Sequence, residues 1–194
     1  MEIGATKAVQ DRLKTTKIEE SKGASLVFCW DTHLTKIKGR NVLFIVNASS
    51  RYTIAMTDIE PRNWNYYAMY IRSVIHGVMQ EMGYSEEQIE QYFKMSGDTT
   101  ITKTHGRKSV GGINRMVMDA QYFGKKLEKE AKYQWELSEY LNRDICQPEG
   151  FDAYGYPNEL FKLDMERLGI ATKRKPAKVI DFTRYIDTNR SSNH

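Results

Sequence analysis

The sequence predicts an α+β fold in which an antiparallel sheet of about five strands is packed by two or three helices. Four short segments rich in β-forming residues follow one another between residues 24 and 59, as in a meander with one buried face. Most of the remaining chain carries apolar residues at three- and four-residue steps, which is typical of amphipathic helices. We divide the chain into an α+β core domain, residues 1–125, and a mostly helical extension with a basic tail, residues 126–194.

The first segment, residues 1–23, is polar and lysine-rich, and its apolar spacing predicts a short helix from about Thr6 to Leu13. The composition changes sharply at residue 24, where apolar and β-branched residues begin to dominate. Gly39 offers the positive φ that a tight turn between two strands often needs. The four predicted strands of the meander are Ala24–Trp30, Leu34–Ile37, Asn41–Asn47 and Tyr52–Ile59.

Helices are expected to dominate after Pro61, because the missing N–H of proline is not needed in a first helical turn. Ser85 and Gln88 have the spacing of a capping box, and Ser109 is placed to cap a later helix. The predicted later elements are the helices Pro61–Met82, Ser85–Met95, Val110–Leu141 and Asn158–Leu168, the strand Thr99–Thr104, and a strand or partner-ordered segment over Val179–Ile186.

Composition excludes several classes of protein. The 194 residues are 40% hydrophobic, carry a formal net charge of +4 and contain no apolar run long enough to cross a membrane. The first residues lack the apolar centre of a secretory signal, so we expect a protein of the bacterial cytoplasm with no membrane partner. Cys29 and Cys146 form no CxxC motif. We therefore expect two reduced thiols, no metal and no cofactor.

The most informative segment is residues 102–115, where a predicted strand turns into a helix. It combines several positive charges with Gly111 and Gly112, so free helix amides and cations together predict binding of a phosphate or carboxylate group. The spacing is not that of a P-loop. The alternative is structural: Ser109 caps the helix and the glycines allow close packing. The predicted anion-binding residues are Lys103, His105, Arg107, Lys108 and Arg115, with Lys173, Arg174 and Lys175 in the basic tail.

Two groups of aromatic residues suggest a binding surface. Tyr66 and Tyr70 lie about one helical turn apart and are predicted to present a stacking face for bases or for a protein partner. Tyr154 and Tyr156 fall in a loop-like stretch just before the last predicted helix, where exposed aromatic residues often contact partners.

Catalysis has weaker support in the sequence. His33, His76 and His105 are candidate general bases, yet no familiar catalytic motif surrounds them. The segment Asp31–His33 fits a solvated turn better than a polar cluster at a strand end. Cys29 falls within a predicted buried strand, where a thiol behaves as an unreactive apolar group. We therefore expect no enzymatic activity.

Several separated motifs occur in a defined order: Ala5-Thr6-Lys7, Trp30, Leu34, Arg40, the run Val42–Asn47, Lys103-Thr104, Arg107, Gly111 and Asn114. Over about residues 1–125 they resemble a bacterial, phage and plasmid family known only as a domain of unknown function. The chain departs from the family pattern at Gly106, Lys108, Gly112 and Arg115, where that pattern has serines and, at the last position, an aspartate. The resemblance implies the context of a mobile element and no particular activity.

The leading hypothesis is a non-enzymatic binding protein of a phage or plasmid that engages nucleic acid or a nucleic-acid-handling effector. Inhibition of a host defence nuclease, in the manner of an anti-CRISPR protein acting on a CRISPR effector, is one form of it. The alternative is an enzyme acting on a phosphorylated small molecule, with Lys103, Arg107 and Lys108 as anion clamps and His105 as acid or base. A structural or assembly protein is the third hypothesis.

Overall fold

The computed structural model describes residues 1–14 and 18–172, and it confirms an α+β fold. Its sheet has five strands in the order β4-β3-β2-β1-β5. Strands β2, β3 and β4 form an antiparallel meander of three strands, not the predicted four, whereas β1 pairs in parallel with both β2 and β5. The sheet is thus mixed, and the expectation of a purely antiparallel sheet is wrong. The strands are β1 Glu2–Ala5, β2 Cys29–Ile37, β3 Arg40–Asn47, β4 Thr53–Thr57 and β5 Thr100–Thr102.

Strand β1 accounts for the difference. All four of its residues are buried, although it lies in a segment that is polar and lysine-rich as a whole. The strand is too short to produce a recognisable pattern, and its hydrogen bonds come from two neighbours that lie far away in the sequence. The predicted strands Ala24–Trp30 and Leu34–Ile37 are instead one strand, β2, because Asp31, Thr32 and His33 continue the pairing with β3 and do not form a turn.

The helices are α1 Lys7–Leu13, α2 Pro61–Asn65, α3 Tyr67–Glu81, α4 Glu86–Ser96, α5 Arg107–Gln121, α6 Trp135–Asn142 and α7 Pro157–Arg167, with a 3₁₀ turn over Leu26–Phe28. The helix predicted from Pro61 is interrupted at Tyr66. The helix predicted over Val110–Leu141 is two helices, separated by residues 122–134. Both interruptions occur where apolar spacing continues, so that spacing alone does not reveal them.

Each face of the sheet covers its own core. On one face Trp30 packs against Phe161 of α7, with ring centroids 5.7 Å apart, and its indole N–H donates to the hydroxyl of Tyr92 at 2.9 Å. On the other face, Ile113 of α5 and Leu137 of α6 belong to the core that includes residues of β3 and β4. Helices from both sides of residue 125 therefore pack on the sheet, and the domain division there stays a prediction.

Two expectations concern other parts of the chain. No helix within residues 1–14 and 18–172 is long and apolar enough to cross a membrane. The strand or partner-ordered segment proposed for Val179–Ile186 lies outside the described residues.

The predicted capping box at the start of α4 is confirmed. The Ser85 hydroxyl accepts a hydrogen bond from the Gln88 backbone N–H at 3.4 Å, and the Gln88 side chain accepts one from the Ser85 N–H at 2.9 Å. We expect Ser85→Ala to lower the free energy of unfolding by about 1 kcal/mol, measured by urea titration. Ser73→Ala, at an exposed site inside α3, should leave stability unchanged or slightly higher. Equal losses in both variants would contradict the capping role.

Candidate functional site

The two best-defined motifs of the sequence meet at one edge of the sheet. Strands β1 and β5 are adjacent and parallel, with Gly4 paired to Thr102, so residues that follow either strand leave the sheet at the same edge. Thr6 and Lys7 follow β1, whereas Lys103 and Thr104 follow β5. We call this the carboxyl edge, and it brings together residues that are almost one hundred positions apart in the sequence.

Helices leave the carboxyl edge in opposite directions. Helix α1 follows β1 and buries Val9 in the core on one face, whereas α5 follows β5 and buries Ile113 in the core on the other. In open sheets, such a change of side between neighbouring parallel strands leaves a crevice, and ligands commonly bind there.

The start of α1 is fixed to β2 by hydrogen bonds. The Thr6 hydroxyl donates to the carbonyl of Thr32 at 3.0 Å, and His33 Nδ1 lies 3.2 Å from the same hydroxyl. Because that hydroxyl proton is already donated, His33 Nδ1 acts as the donor in this contact. Burial lowers the pKa of His33, so this side chain is neutral at neutral pH.

The predicted cations take separate positions near this edge. Lys103 pairs with Glu20, and Lys108 donates to the carbonyl of Pro148 at 3.2 Å. Arg107 is exposed at the first position of α5, and the first turn of that helix contains no acidic residue. Arg115 lies two turns further along and pairs with Asp119 at 3.2 Å. Lys173, Arg174 and Lys175 lie outside the described residues.

His105 has a different position from the one the sequence suggests. Its side chain is only 3% exposed and lies between two buried carboxylates. Nδ1 is 2.7 Å from Asp31 Oδ1, and Nε2 is 3.0 Å from Glu2 Oε2. The expectation that His105 contacts an anion at the surface is therefore corrected: its hydrogen bonds go to groups of the protein itself.

Further donors complete the network around these carboxylates. The Ser109 hydroxyl donates to Asp31 Oδ2, so Ser109 does not cap α5 as predicted. That helix instead begins after Gly106, which has the left-handed φ of 94° that favours glycine. The Ser21 hydroxyl donates to Glu2 at 2.6 Å, and the Lys22 N–H donates at 2.8 Å. Each buried carboxylate thus accepts several hydrogen bonds, as buried charges require.

The protonation of the network follows from these contacts. Burial alone lowers the pKa of His105, but its hydrogen bonds to Asp31 and Cys29 outweigh burial and raise the pKa to about 10. Burial alone raises the pKa of Glu2, whereas hydrogen bonds from Ser21, from Lys22 and from His105 hold it below its usual value. At neutral pH the network therefore contains an imidazolium beside ionised Glu2.

A glycine makes this arrangement possible. A Cβ atom at Gly4 would lie 1.8 Å from Asp31 Oδ1 and 3.0 Å from the Cα of Thr104. The segment after β5 therefore folds back across β1 at the one residue without a side chain, which brings His105 over the sheet. No sequence pattern indicates Gly4 or Glu2, because their roles depend on strand β1, which is too short to be recognised. Asp31 and Thr32, which the sequence predicts in a solvated turn, are fully buried.

The predicted aromatic surfaces differ in exposure. Tyr66, between α2 and α3, is 68% exposed, whereas Tyr70 is half-buried and has its hydroxyl in the interior. These two side chains do not form one exposed stacking face. Tyr154 and Tyr156, which precede α7, are 70% and 50% exposed, as expected for a loop available to a partner.

These features define an α+β protein whose mixed sheet joins two sequence motifs at one edge, above a buried Glu-His-Asp network. The chain matches the domain of unknown function DUF6933 over residues 2–160 and belongs to that family. The match confirms the resemblance to a family of unknown function and extends it beyond residue 125. No curated protein and no solved structure matches the chain.

Proposed function

We propose that this protein is a non-enzymatic binding protein of a mobile element, which contacts the phosphates of nucleic acid through the carboxyl edge in the cytoplasm of a bacterial host. The observation that carries the proposal is the meeting of Thr6-Lys7 with Lys103-Thr104 at that edge, beside the start of α5. This parallel register brings residues that are far apart in the sequence to one edge, which supports a shared ligand.

The electrostatics of the edge favour a phosphate. Helix α5 has fifteen residues, and its first amides carry the partial positive charge of a helix N-terminus. Arg107 and Lys108 occupy the first two positions of that helix. Positive side chains and backbone amides are the groups that most often contact phosphates in protein complexes with nucleic acids.

The described residues favour binding over catalysis. His105 is enclosed between carboxylates, and the hydroxyl of Ser109 is donated to Asp31. Cys29 is completely buried. The alternative in which His105 acts as acid or base on a phosphorylated small molecule requires contact with solvent or substrate, and a side chain that is 3% exposed provides little.

A nuclease bound to its guide or target nucleic acid is a partner that fits this charge. A DNA mimic needs a strongly acidic surface, whereas the chain carries a net charge of +4. An inhibitor of the anti-CRISPR type would therefore bind the effector together with its nucleic acid, and the exposed Tyr154 and Tyr156 offer a surface for contact with the protein.

Fluorescence anisotropy with labelled single- and double-stranded oligonucleotides tests the proposal. We expect binding that weakens as the salt concentration rises. Arg107→Ala should reduce the affinity, and it should reduce the slope of log affinity against log salt concentration by about one. The matched control is Lys94→Ala on α4. That helix ends near the opposite edge, where the amino group of Met1 donates to the carbonyl of Asp98 at 2.9 Å.

The same titration in the presence of an effector nuclease and its guide tests the indirect form of the proposal. If neither nucleic acid nor such a complex binds, or if Arg107→Ala and Lys94→Ala behave alike, the carboxyl edge is not a phosphate-binding surface.

A further inference from the structure

Three potential metal ligands lie close together in the interior of the protein, beside strands β1 and β2. Glu2 of β1, Cys29 of β2 and His105 from the segment before α5 each offer one potential ligand atom. These three atoms, a carboxylate oxygen, a sulfur and a ring nitrogen, all lie within 4.8 Å of one another. The residues come from distant parts of the sequence, and the register that aligns Glu2 with Cys29 brings two of them side by side.

We propose that Glu2, Cys29 and His105 form a binding site for one zinc ion. Zinc accepts carboxylate oxygen, thiolate sulfur and imidazole nitrogen together, whereas calcium and magnesium prefer oxygen ligands alone. Three protein ligands leave one of the four tetrahedral positions free for water or another ligand. This proposal is independent of nucleic-acid binding.

The surroundings of His105 support zinc in particular. Its Nδ1–H donates to the carboxylate of Asp31 at 2.7 Å, so Nε2 is the nitrogen that faces Glu2. A histidine that binds zinc commonly donates its other N–H to a carboxylate in this way, which fixes the orientation of the ring. Asp31 is itself held by the hydroxyl of Ser109 and by the His105 backbone N–H.

The three ligand atoms need to move only slightly to coordinate one zinc ion. Nε2 of His105 and Oε2 of Glu2 are 3.0 Å apart, and two such ligands of one tetrahedral zinc lie about 3.3 Å apart. The sulfur of Cys29, which lies 3.4 Å from the carbonyl of Ser25, has to approach to about 3.6 Å from the other two donors.

The charges of the surrounding groups also suit a divalent cation. Glu2 and Asp31 supply carboxylates, and zinc binds cysteine as the thiolate, so the ion would lie among negative groups. A buried cation compensated in this way avoids the cost of an isolated charge.

Titration of the metal-free 194-residue chain with Zn²⁺ and with Co²⁺ tests the site. We expect one ion per chain by calorimetry, a higher melting temperature with Zn²⁺, and a sulfur-to-cobalt charge-transfer absorption band with Co²⁺. Cys29→Ser should abolish this band and weaken Zn²⁺ binding by at least about tenfold. Cys146→Ser, at the other buried cysteine, should leave both unchanged.

A second variant keeps the test valid if Cys29→Ser does not fold. Glu2→Gln retains the cysteine, so Co²⁺ should still produce the sulfur band, while Zn²⁺ binding should weaken by about tenfold or more. The proposal is overturned if no ion binds to the folded protein. It is also overturned if both variants bind Zn²⁺ as tightly as the unaltered chain, because the ion then lies at another site such as His76 with Glu86, whose side chains are 2.7 Å apart.

Discussion

Replacing His105 with leucine is expected to lower the free energy of unfolding of the metal-free protein by about 3–5 kcal/mol. The substitution removes the imidazolium that lies between Glu2 and Asp31, whose side chains are 5% and 0% exposed. The two carboxylates then face each other without their shared cation, in an interior that solvates charge poorly. Urea unfolding in the presence of a chelator measures the loss.

The matched control is His76→Leu. His76 also contacts a carboxylate, that of Glu86 at 2.7 Å, but both side chains are at least one-third exposed. Ion pairs of that kind contribute little, so the loss should stay below about 1 kcal/mol. If the two histidine variants lose equal stability, the charges around His105 are not essential to the fold.

The stability that His105 provides should also depend on pH. Its pKa is about 10 in the folded protein because the hydrogen bonds to Asp31 and Cys29 outweigh burial, against about 6.5 in an unfolded chain. The folded state therefore holds the proton more tightly. The difference in stability between the unaltered protein and His105→Leu should be largest below about pH 6.5 and should shrink as the pH approaches 10. A difference that grows with pH would contradict the assigned protonation.

The second large effect is expected for Gly4→Ala, which should lower the free energy of unfolding by about 3 kcal/mol. The new methyl group would lie 1.8 Å from Asp31 Oδ1, so this carboxylate has to leave its hydrogen bonds to His105 and Ser109. The backbone at Thr104, 3.0 Å from the added atom, has to shift as well. Chemical denaturation measures the loss, and the NMR signals of the His105 ring should move.

Gly77→Ala is the control for this effect, because nothing lies within 4 Å of a Cβ atom at Gly77, which lies inside α3. Alanine favours the helix, so that variant should gain up to about 1 kcal/mol. A double-mutant cycle adds a sharper test: in an Asp31→Ala background, Gly4→Ala should cost less than it does alone. Additive costs would show that the carboxylate is not the obstructing group.

Much of the fold is apparent from local patterns. The antiparallel meander and the capping box of Ser85 follow from alternation and from side-chain chemistry within a few residues, and both are present. The break between α5 and α6 is not apparent, because Phe123 and Leu127 continue the apolar spacing and are buried in the same core. These side chains are buried by packing on the sheet even though their backbone is not helical. The apolar spacing therefore continues beyond the end of α5.

The sequence predicts only part of the candidate site. The charges and glycines of residues 102–115 indicate a binding segment, and Arg107 lies exposed at a helix start as those charges suggest. The role of His105 cannot be recognised from the sequence, since its partners Glu2 and Asp31 are 103 and 74 residues away. His105 lies between Lys103 and Arg107 in the sequence, so without knowledge of its partners it is interpreted as another positively charged residue at the surface.

The sequence by itself determined the fold class, the family and the motifs, because these depend on local spacing and on residue type. Only the tertiary structure decided which motifs act together. Strand β1 obtains its hydrogen bonds from β2 and β5, and its parallel register brings Thr6 and Lys7 to the same edge as Lys103 and Thr104. The same register places Glu2 beside Cys29 and beneath His105. Such pairings join residues that local spacing cannot relate, and the proposed phosphate-binding and zinc-binding sites both depend on them.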